Sequence, residues 1–192
     1  MTVEKRNYHH GDLRAALIQE GLKLLEEGRG QDIGLREVAR AVGVSATAVY
    51  RHFPDKAALL RALSAEGLAR LATVQQAAFD RAGGGSGGFI ATGGAYVRFA
   101  LANPALFRLV FSHPPERDLL SSADAAVPAA FRMLRENAAS ILPAGASADA
   151  VNRAALEAWA KVHGLAVLML DAQIPCDEDL IDSVVGAGSC GG

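Results

Sequence analysis

The stretch that decides the fold reads Leu35-Arg-Glu-Val-Ala39-Arg-Ala-Val-Gly43-Val-Ser45-Ala-Thr-Ala-Val49-Tyr-Arg-His-Phe53. Apolar residues at helical spacing before Gly43 predict one short helix, and Ser45, a favourable N-cap, predicts a second helix over 46–52. Gly43 can adopt the positive φ of a tight turn, Ala39 allows the two helices to approach closely, and Val49 can wedge between them. The spacing Ala-x3-Gly-x5-Val is typical of a helix-turn-helix.

The residues upstream of this stretch predict a third helix that completes a small N-terminal bundle. Apolar residues from Leu13 to Leu25 recur at steps of three and four, and the pattern stops near Gly28 and Gly30. Gly34, which precedes the second helix, can cap it but has no side chain to offer a ligand.

The rest of the chain also has a helical pattern. A long apolar face follows Lys56 as far as the glycine-rich stretch Gly83–Gly88, which we interpret as a linker between helices. Asn103-Pro104 predicts a helix start, a long helix is expected over 151–171, and a last one over 180–185. Aromatic residues make up only 6% of the chain, so a sheet has little material. The predicted fold class is therefore all-α.

Composition limits the function classes. The 192 residues are 51% hydrophobic and carry a net charge of −2, so a DNA-binding surface has to be local. The residues up to Arg61 contain ten basic and eight acidic side chains, against nine and thirteen in the remainder, which favours the N-terminal part as the anion-binding one. The N-terminus lacks the apolar core of a signal peptide, and the longest uncharged run is broken by glycines. We expect a soluble cytoplasmic protein that does not bind a membrane.

No cofactor, metal site or catalytic residue is expected. His9, His10 and Asp12 are potential zinc ligands, but neighbouring side chains at a helix start point in different directions, and no second cluster has ligand spacing. Cys176 and Cys190 belong to no CxxC pair and are expected to be reduced. The sequence contains no GxSxG, HExxH or P-loop motif, so we expect no enzyme.

The second helix of the helix-turn-helix has the composition of a DNA-reading element. Small residues such as Ala46 at its start allow it to enter a major groove, and Thr47 and Arg51 can reach base edges or phosphates. Tyr50 and His52 offer phosphate ligands near its end. The alternative is a structural tyrosine with a polar tip, a solvated arginine and a histidine that caps the helix end.

Three motifs in order resemble the TetR family of transcription regulators: Tyr8-His-His-Gly-Asp-Leu-Arg14, Leu35-Arg-Glu-Val-Ala-x3-Gly-Val-Ser45 and Val49-Tyr-Arg-His-Phe-x2-Lys56. The resemblance implies an all-helical homodimer with an N-terminal DNA-binding domain, here 1–61, and a helical effector-binding and dimerisation domain, here 62–192, with a flexible tail over 186–192. It also implies that the long helix after Lys56 connects the two domains. Residue patterns and resemblance together predict these DNA-binding residues: Arg36, Ser45, Ala46, Thr47, Tyr50, Arg51, His52 and Lys56.

The segment from Tyr96 to Phe111, and Trp159-x3-His163-Gly164 after it, resemble a C-terminal subtype of the family that is named for the second element. An apolar surface with two polar groups is typical of a small-molecule pocket between helices, although ordinary core packing explains the same residues. The predicted ligand-binding residues are Phe99, Phe107, Phe111, Met133, Trp159 and His163.

These observations predict a dimeric, ligand-responsive transcription regulator, in the first place a repressor, that binds a pseudo-palindromic double-stranded DNA operator and is released by a small-molecule effector. The alternative is a helical small-molecule-binding or interaction protein whose helix-turn-helix is only a packing motif. Sequence-specific DNA binding distinguishes the two.

Overall fold

The computed structural model describes residues 10–29, 32–112 and 127–186, and within these ranges the chain forms α-helices and no strand. The all-α prediction is confirmed. The helices are α1 (His10–Leu24, followed by a π-helical turn at Leu25–Arg29), α2 (Leu35–Val42), α3 (Ala46–Tyr50), α4 (Lys56–Arg81), α5 (Gly85–Ala102), α6 (Pro104–Phe111), α7 (Ala129–Ile141), α8 (Ala148–Leu170) and α9 (Glu178–Gly186). Tyr8, His9, Cys190 and the tail after Gly186 lie outside the described residues, as do the side chains of His10 and Asp12.

The N-terminal helices enclose an apolar core at their common centre. Leu17, Val38, Val49 and Leu59, one from each of the first four helices, are fully buried together with Phe53. Gly21 of α1 brings that helix close to α4, because a Cβ there would lie 2.9 Å from Leu63 Cδ2. The helix-turn-helix is thus held on a rigid apolar base.

Helix α4 is 26 residues long and connects this bundle to the rest of the chain. It runs unbroken through Arg61, and its buried residues continue from Leu59 to Ala78. The core residues form one continuous cluster from the N-terminal helices to α9. The two parts of the chain therefore share one helix and one apolar core.

The glycine-rich linker is shorter than the sequence suggested. Helix α5 already begins at Gly85, so only Ala82, Gly83 and Gly84 separate it from α4. Both Gly83 and Gly84 have positive φ, and Gly88 packs so closely on α4 that a Cβ would lie 2.7 Å from Phe79 Cδ2. These glycines serve a tight turn between two closely packed antiparallel helices.

Helices α5 to α9 form the C-terminal part around buried residues of α5, α6 and α8. Asn103 does not cap α6 with its side chain, as the sequence suggested, but donates its amide to Phe99 O at the end of α5. Arg98 of α5 holds α9 through ion pairs to Glu178 and Asp182 at 2.7 and 2.6 Å. No helix in the described ranges has the length and apolar character that would span a bilayer.

Candidate DNA-binding and ligand-binding sites

The turn of the helix-turn-helix has the glycine and the serine cap that its sequence predicts. Helix α2 ends at Gly43, which has a φ of 78° and donates its N–H to carbonyls of the last turn, while Val44 N–H reaches Ala39 O at 2.9 Å. Ser45 caps α3, because its Oγ accepts the Ala48 N–H at 3.2 Å. Helix α3 ends at Tyr50, two residues before the predicted end, and Arg51 and His52 form a turn.

The outer face of α3 is open to solvent. Val49 is fully buried, whereas Thr47, Tyr50 and Arg51 are exposed, and Tyr50 retains 47% of its accessible surface. Lys56 at the start of α4 is also exposed and lies 3.9 Å from Asp32 Oδ1. An exposed surface pair this long contributes little to stability. The face therefore combines hydroxyl, guanidinium and ammonium donors with small residues, which suits the major groove and its phosphates.

Helix α6 connects this bundle to the interior of the C-terminal part. It packs on the π-helical turn Leu25–Arg29 and on α4, where Gly67 leaves room for Leu106 and Val110. Its last residue, Phe111, faces a cavity. One short helix thus contacts both the helix-turn-helix bundle and the cavity wall.

The cavity lies among α4, α5, α7 and α8 and has a volume of about 490 Å³. Most of its wall is apolar, with Leu71, Ile90, Phe131 and Leu134 among the lining residues. A few polar side chains interrupt this surface: Gln75, Ser86, Thr92, Tyr96, Glu157, Trp159 and Lys161. Size and composition are typical of a small-molecule pocket.

A cluster of aromatic rings joined by hydrogen bonds forms part of the cavity wall. The Trp159 Nε1–H donates to Tyr96 Oη at 3.2 Å, and Tyr96 Oη lies 2.8 Å from His163 Nδ1. Phe111 packs against the His163 ring with centroids 4.8 Å apart. Burial raises the pKa of the Tyr96 phenol and lowers the pKa of His163. All three polar groups are therefore paired and neutral at pH 7.

Comparison with protein families finds a match in the N-terminal part of the chain and another in the C-terminal part. Residues 17–63 match the model of bacterial regulatory proteins of the tetR family, and residues 89–185, half of the chain, match the tetracyclin repressor-like C-terminal domain. The chain belongs to the TetR family. It is therefore a DNA-binding regulator by its domains, and no curated protein matches it.

Solved structures agree with the fold of this TetR-family protein. A protein of unknown function from Rhodococcus sp. RHA1 is 32% identical, with a TM-score of 0.74, 96% of this chain and 95% of that chain being covered. The candidate regulatory protein SCO4313 is 21% identical, with a TM-score of 0.68 and 96% and 98% coverage. A candidate transcriptional regulator from Pseudomonas aeruginosa PAO1 is 19% identical, with a TM-score of 0.61 and 94% and 90% coverage. The last two comparisons concern the fold alone.

The predicted DNA-binding residues of the TetR-family chain lie on or beside α2, α3 and the start of α4. Ser45 caps α3, Ala46, Thr47 and Tyr50 lie within it, Arg51 and His52 form the turn after it, and Lys56 begins α4. Arg36 is exposed on the first turn of α2. Gly34 has the extended backbone of an N-cap and makes no side-chain bond.

The six predicted ligand-binding residues are distributed over three surroundings. Phe111 and Trp159 line the cavity. Phe107 and His163 stand behind them in the aromatic cluster, with ring centroids 5.4 Å apart. Phe99 and Met133 are both buried, but neither lines the cavity. Phe99 faces a separate groove between α4 and α5. Helical spacing identified the aromatic residues but not the direction in which each one points.

Sequence reasoning missed several cavity residues of this protein. Gln75 was not singled out, although it is a polar residue on the buried face of α4, which was the available signal. Lys161 was not singled out either, because it shares its helix face with Glu157 and resembles a solvated position. Tyr96 was recognised only as part of a motif, and Phe131 lies on α7, whose pattern was not assigned. A search for polar residues at core positions would have found Gln75.

Proposed function

We propose that this TetR-family protein is a homodimeric, ligand-responsive repressor that acts in the cytoplasm without any catalytic step. Its N-terminal domain, residues 1–61, would bind a pseudo-palindromic operator, and an effector would occupy the cavity of residues 62–192. The observation that carries the proposal is the position of α6, which contacts both the helix-turn-helix bundle and, through Phe111, the cavity wall.

On the DNA side, the proposal assigns roles according to exposure. Thr47 and Arg51, both exposed on α3 or directly after it, would contact base edges or phosphates. Tyr50, His52 and Lys56 would hold phosphates, with Arg36 from α2 beside them. Ser45 and Ala46 would lie close to the sugar-phosphate backbone of the DNA. The Ser45 hydroxyl can donate a hydrogen bond to a phosphate while its oxygen accepts the Ala48 N–H that caps α3.

On the effector side, Phe111 and Trp159 would contact the ligand, and Phe107 and His163 would support them from behind. The Trp159-x3-His163-Gly164 element is the basis on which we also place the chain in the subtype named for it. An effector that moves Phe111 would displace α6, and α6 would displace α4 and the π-helical turn. A changed distance between two recognition helices would then lower operator affinity, by a coupling energy of roughly 1–3 kcal/mol.

The outer side of α8 supports the dimer. Leu156, Ala160, Gly164 and Leu168 follow one another at intervals of four residues and form an apolar ridge, in which the two leucines are 52% and 45% exposed. Ridges of this spacing pack helix against helix, with small residues at the closest approach. A second copy of the chain related by a two-fold axis would cover this surface.

Selection from a random DNA pool at about 0.15 M salt, where weak non-specific binding is suppressed, tests the proposal. We expect enrichment of a two-fold symmetric motif. A folded dimer that enriches no motif would contradict the proposal and favour a ligand-binding protein whose helix-turn-helix only packs.

Lys56→Ala tests the interface itself. Loss of one phosphate contact is expected to weaken binding on all sequences and to reduce the slope of log K against log salt by about 1. Lys23→Ala is the matched control, because Lys23 is an exposed lysine of α1 paired with Glu20 and Glu27. Equal salt slopes for both variants would remove Lys56 from the interface.

A further inference from the structure

The cavity runs along α5. Its lining residues on that helix extend from Ser86 to Tyr96, which corresponds to about 15 Å along the helix axis. A single chain or a chain with one terminal ring fits such a shape better than a fused ring system.

Two charged side chains line this apolar space. Glu157 and Lys161 stand four residues apart on α8, a spacing at which opposite charges readily pair. Within the described residues no ion pair joins them, and neither has another charged partner. Both charged groups are therefore available to a ligand: Lys161 would attract an anionic group and Glu157 a cationic one.

The burial of Lys161 and of Glu157 indicates whether the cavity favours an anionic or a cationic ligand. Lys161 is partly buried, and its ammonium donates one hydrogen bond to Val184 O at 3.2 Å, which leaves two N–H donors without a protein acceptor among the described residues. Glu157 is exposed, so solvent screens its charge. An anion beside Lys161 gains a charge-assisted hydrogen bond in a partly dry site, whereas a cation beside Glu157 gains little.

We infer that the effector is an elongated apolar molecule with a single carboxylate, which Lys161 binds while the apolar chain lies along α5. The inference rests on the proposed function, because it names the ligand class of the same cavity. It does not depend on which operator the protein reads.

The test is a direct binding titration of the full-length protein without DNA. Trp159 is the only tryptophan of the chain and lines the cavity, so its fluorescence reports occupancy. The probes are decanoate, decan-1-ol and decylamine, which share one chain length and differ in charge, and 6-phenylhexanoate, which distinguishes a ring-ended from a straight chain. We expect decanoate or 6-phenylhexanoate to bind at least about tenfold more tightly than the alcohol and the amine.

Variants of the two charged residues locate the effect. Lys161→Met is expected to lower carboxylate affinity about tenfold or more and to leave decan-1-ol within about twofold. Lys161→Arg retains the cation and should restore the preference, and Glu157→Gln removes the opposing charge and should raise carboxylate affinity. Lys23→Met, an exposed lysine of α1 outside the cavity, is the matched control with carboxylate affinity unchanged. If Lys161→Met does not fold, the affinities of the four probes for the native protein, Lys161→Arg and Glu157→Gln still show whether the cavity prefers a carboxylate.

Three results would overturn the inference. Equal affinity for decanoate and decan-1-ol would make the site indifferent to charge, and tightest binding of decylamine with loss in Glu157→Gln would make the ligand an amine. No fluorescence response to any of the four probes would exclude single-chain amphiphiles. None of these results affects the DNA selection experiment, so failure of the ligand class and failure of the regulator function are distinguishable.

Discussion

At the scale of single residues, the hydrogen-bonded series Trp159–Tyr96–His163 determines the state of the aromatic cluster. An indole N–H is a donor only, so Tyr96 Oη accepts from Trp159. The Tyr96 hydroxyl can donate its own hydrogen to His163 Nδ1, 2.8 Å away, in the tautomer that carries the ring proton on Nε2. Because burial lowers the pKa of His163, protonation in the native state would work against both desolvation and the Tyr96 hydrogen bond.

This arrangement predicts a stability that depends on pH. The pKa of His163 is lower in the native protein than in the unfolded chain, where it is about 6.5, so the unfolded chain binds the proton more readily as pH falls below that value. The free energy of unfolding should therefore fall between pH 6.5 and 5, and the contribution present above pH 6.5 is lost. The slope should stay below the one-proton ceiling of about 1.4 kcal/mol per pH unit, because the side chain is only half-buried.

Urea denaturation across this pH range checks the prediction with His163→Gln, which should have a shallower slope than the native protein. His52→Gln, on the helix-turn-helix, is the control. Identical slopes for the native protein and His163→Gln would mean that His163 is not the group that titrates.

Residue spacing could predict part of this cluster. Trp159 and His163 share a helix face because they are four residues apart, and that relation was available from the sequence. Tyr96 lies on α5, and its link to α8 arises only when two distant helices pack. Sequence periodicity therefore could not predict that the Tyr96 side chain meets Trp159 and His163.

At the scale of helices, the contact between α4 and α6 depends on the absence of a side chain. A Cβ on Gly67 would lie 2.8 Å from Leu106 Cδ1 and 2.9 Å from Val110 Cγ2. These distances are shorter than carbon atoms tolerate, so the two helices approach each other as closely as glycine allows.

Gly67→Ala is consequently expected to lower the free energy of unfolding by about 1–3 kcal/mol through overpacking, despite the better helix propensity of alanine. Gly87→Ala is the matched control, because an added Cβ in the first turn of α5 meets only Ala82 O, at 3.8 Å. Urea denaturation at pH 7.5 compares the two. Equal stabilities would show that α6 shifts on α4 without cost, which would weaken its proposed role as a rigid connector.

Helix boundaries were predictable where a cap marks them. Gly43 and Ser45 fix the end of α2 and the start of α3 by local hydrogen bonds, so the sequence alone located both. The stretch Gly85–Gly88 belongs to α5 although the low helix propensity of glycine opposes it, and Gly88 packs against Phe79 of α4. Tertiary packing, which no local pattern records, decided that boundary.

At the scale of the whole molecule, the distribution of exposed apolar surface matters most. In the described residues, Leu156 and Leu168 are two of the few large apolar side chains that remain exposed, and both lie on the outer ridge of α8. Isolated exposed leucines are ordinary, but a ridge with small residues between them favours an interface.

The proposed dimer predicts that Leu156→Glu combined with Leu168→Glu produces a folded monomer. Two charges placed at a helix contact remain unpaired when the surfaces meet, which opposes association, while the exposed positions leave the monomer core intact. Val74→Glu on α4 is the control, because it places the same charge on an exposed apolar residue of another helix. Analytical ultracentrifugation measures the mass, and circular dichroism verifies the helical content.

The same variant connects assembly to operator binding. Two recognition helices held by one dimer engage both half-sites together, so a monomer should bind the selected operator at least about a hundredfold more weakly, since the second half-site contact is no longer intramolecular. Effector binding to each cavity should persist in the monomer, because the lining residues all belong to one chain. A monomeric variant with native operator affinity would contradict the proposed two-fold mode of recognition, and a variant that remains dimeric would place the interface elsewhere than on α8.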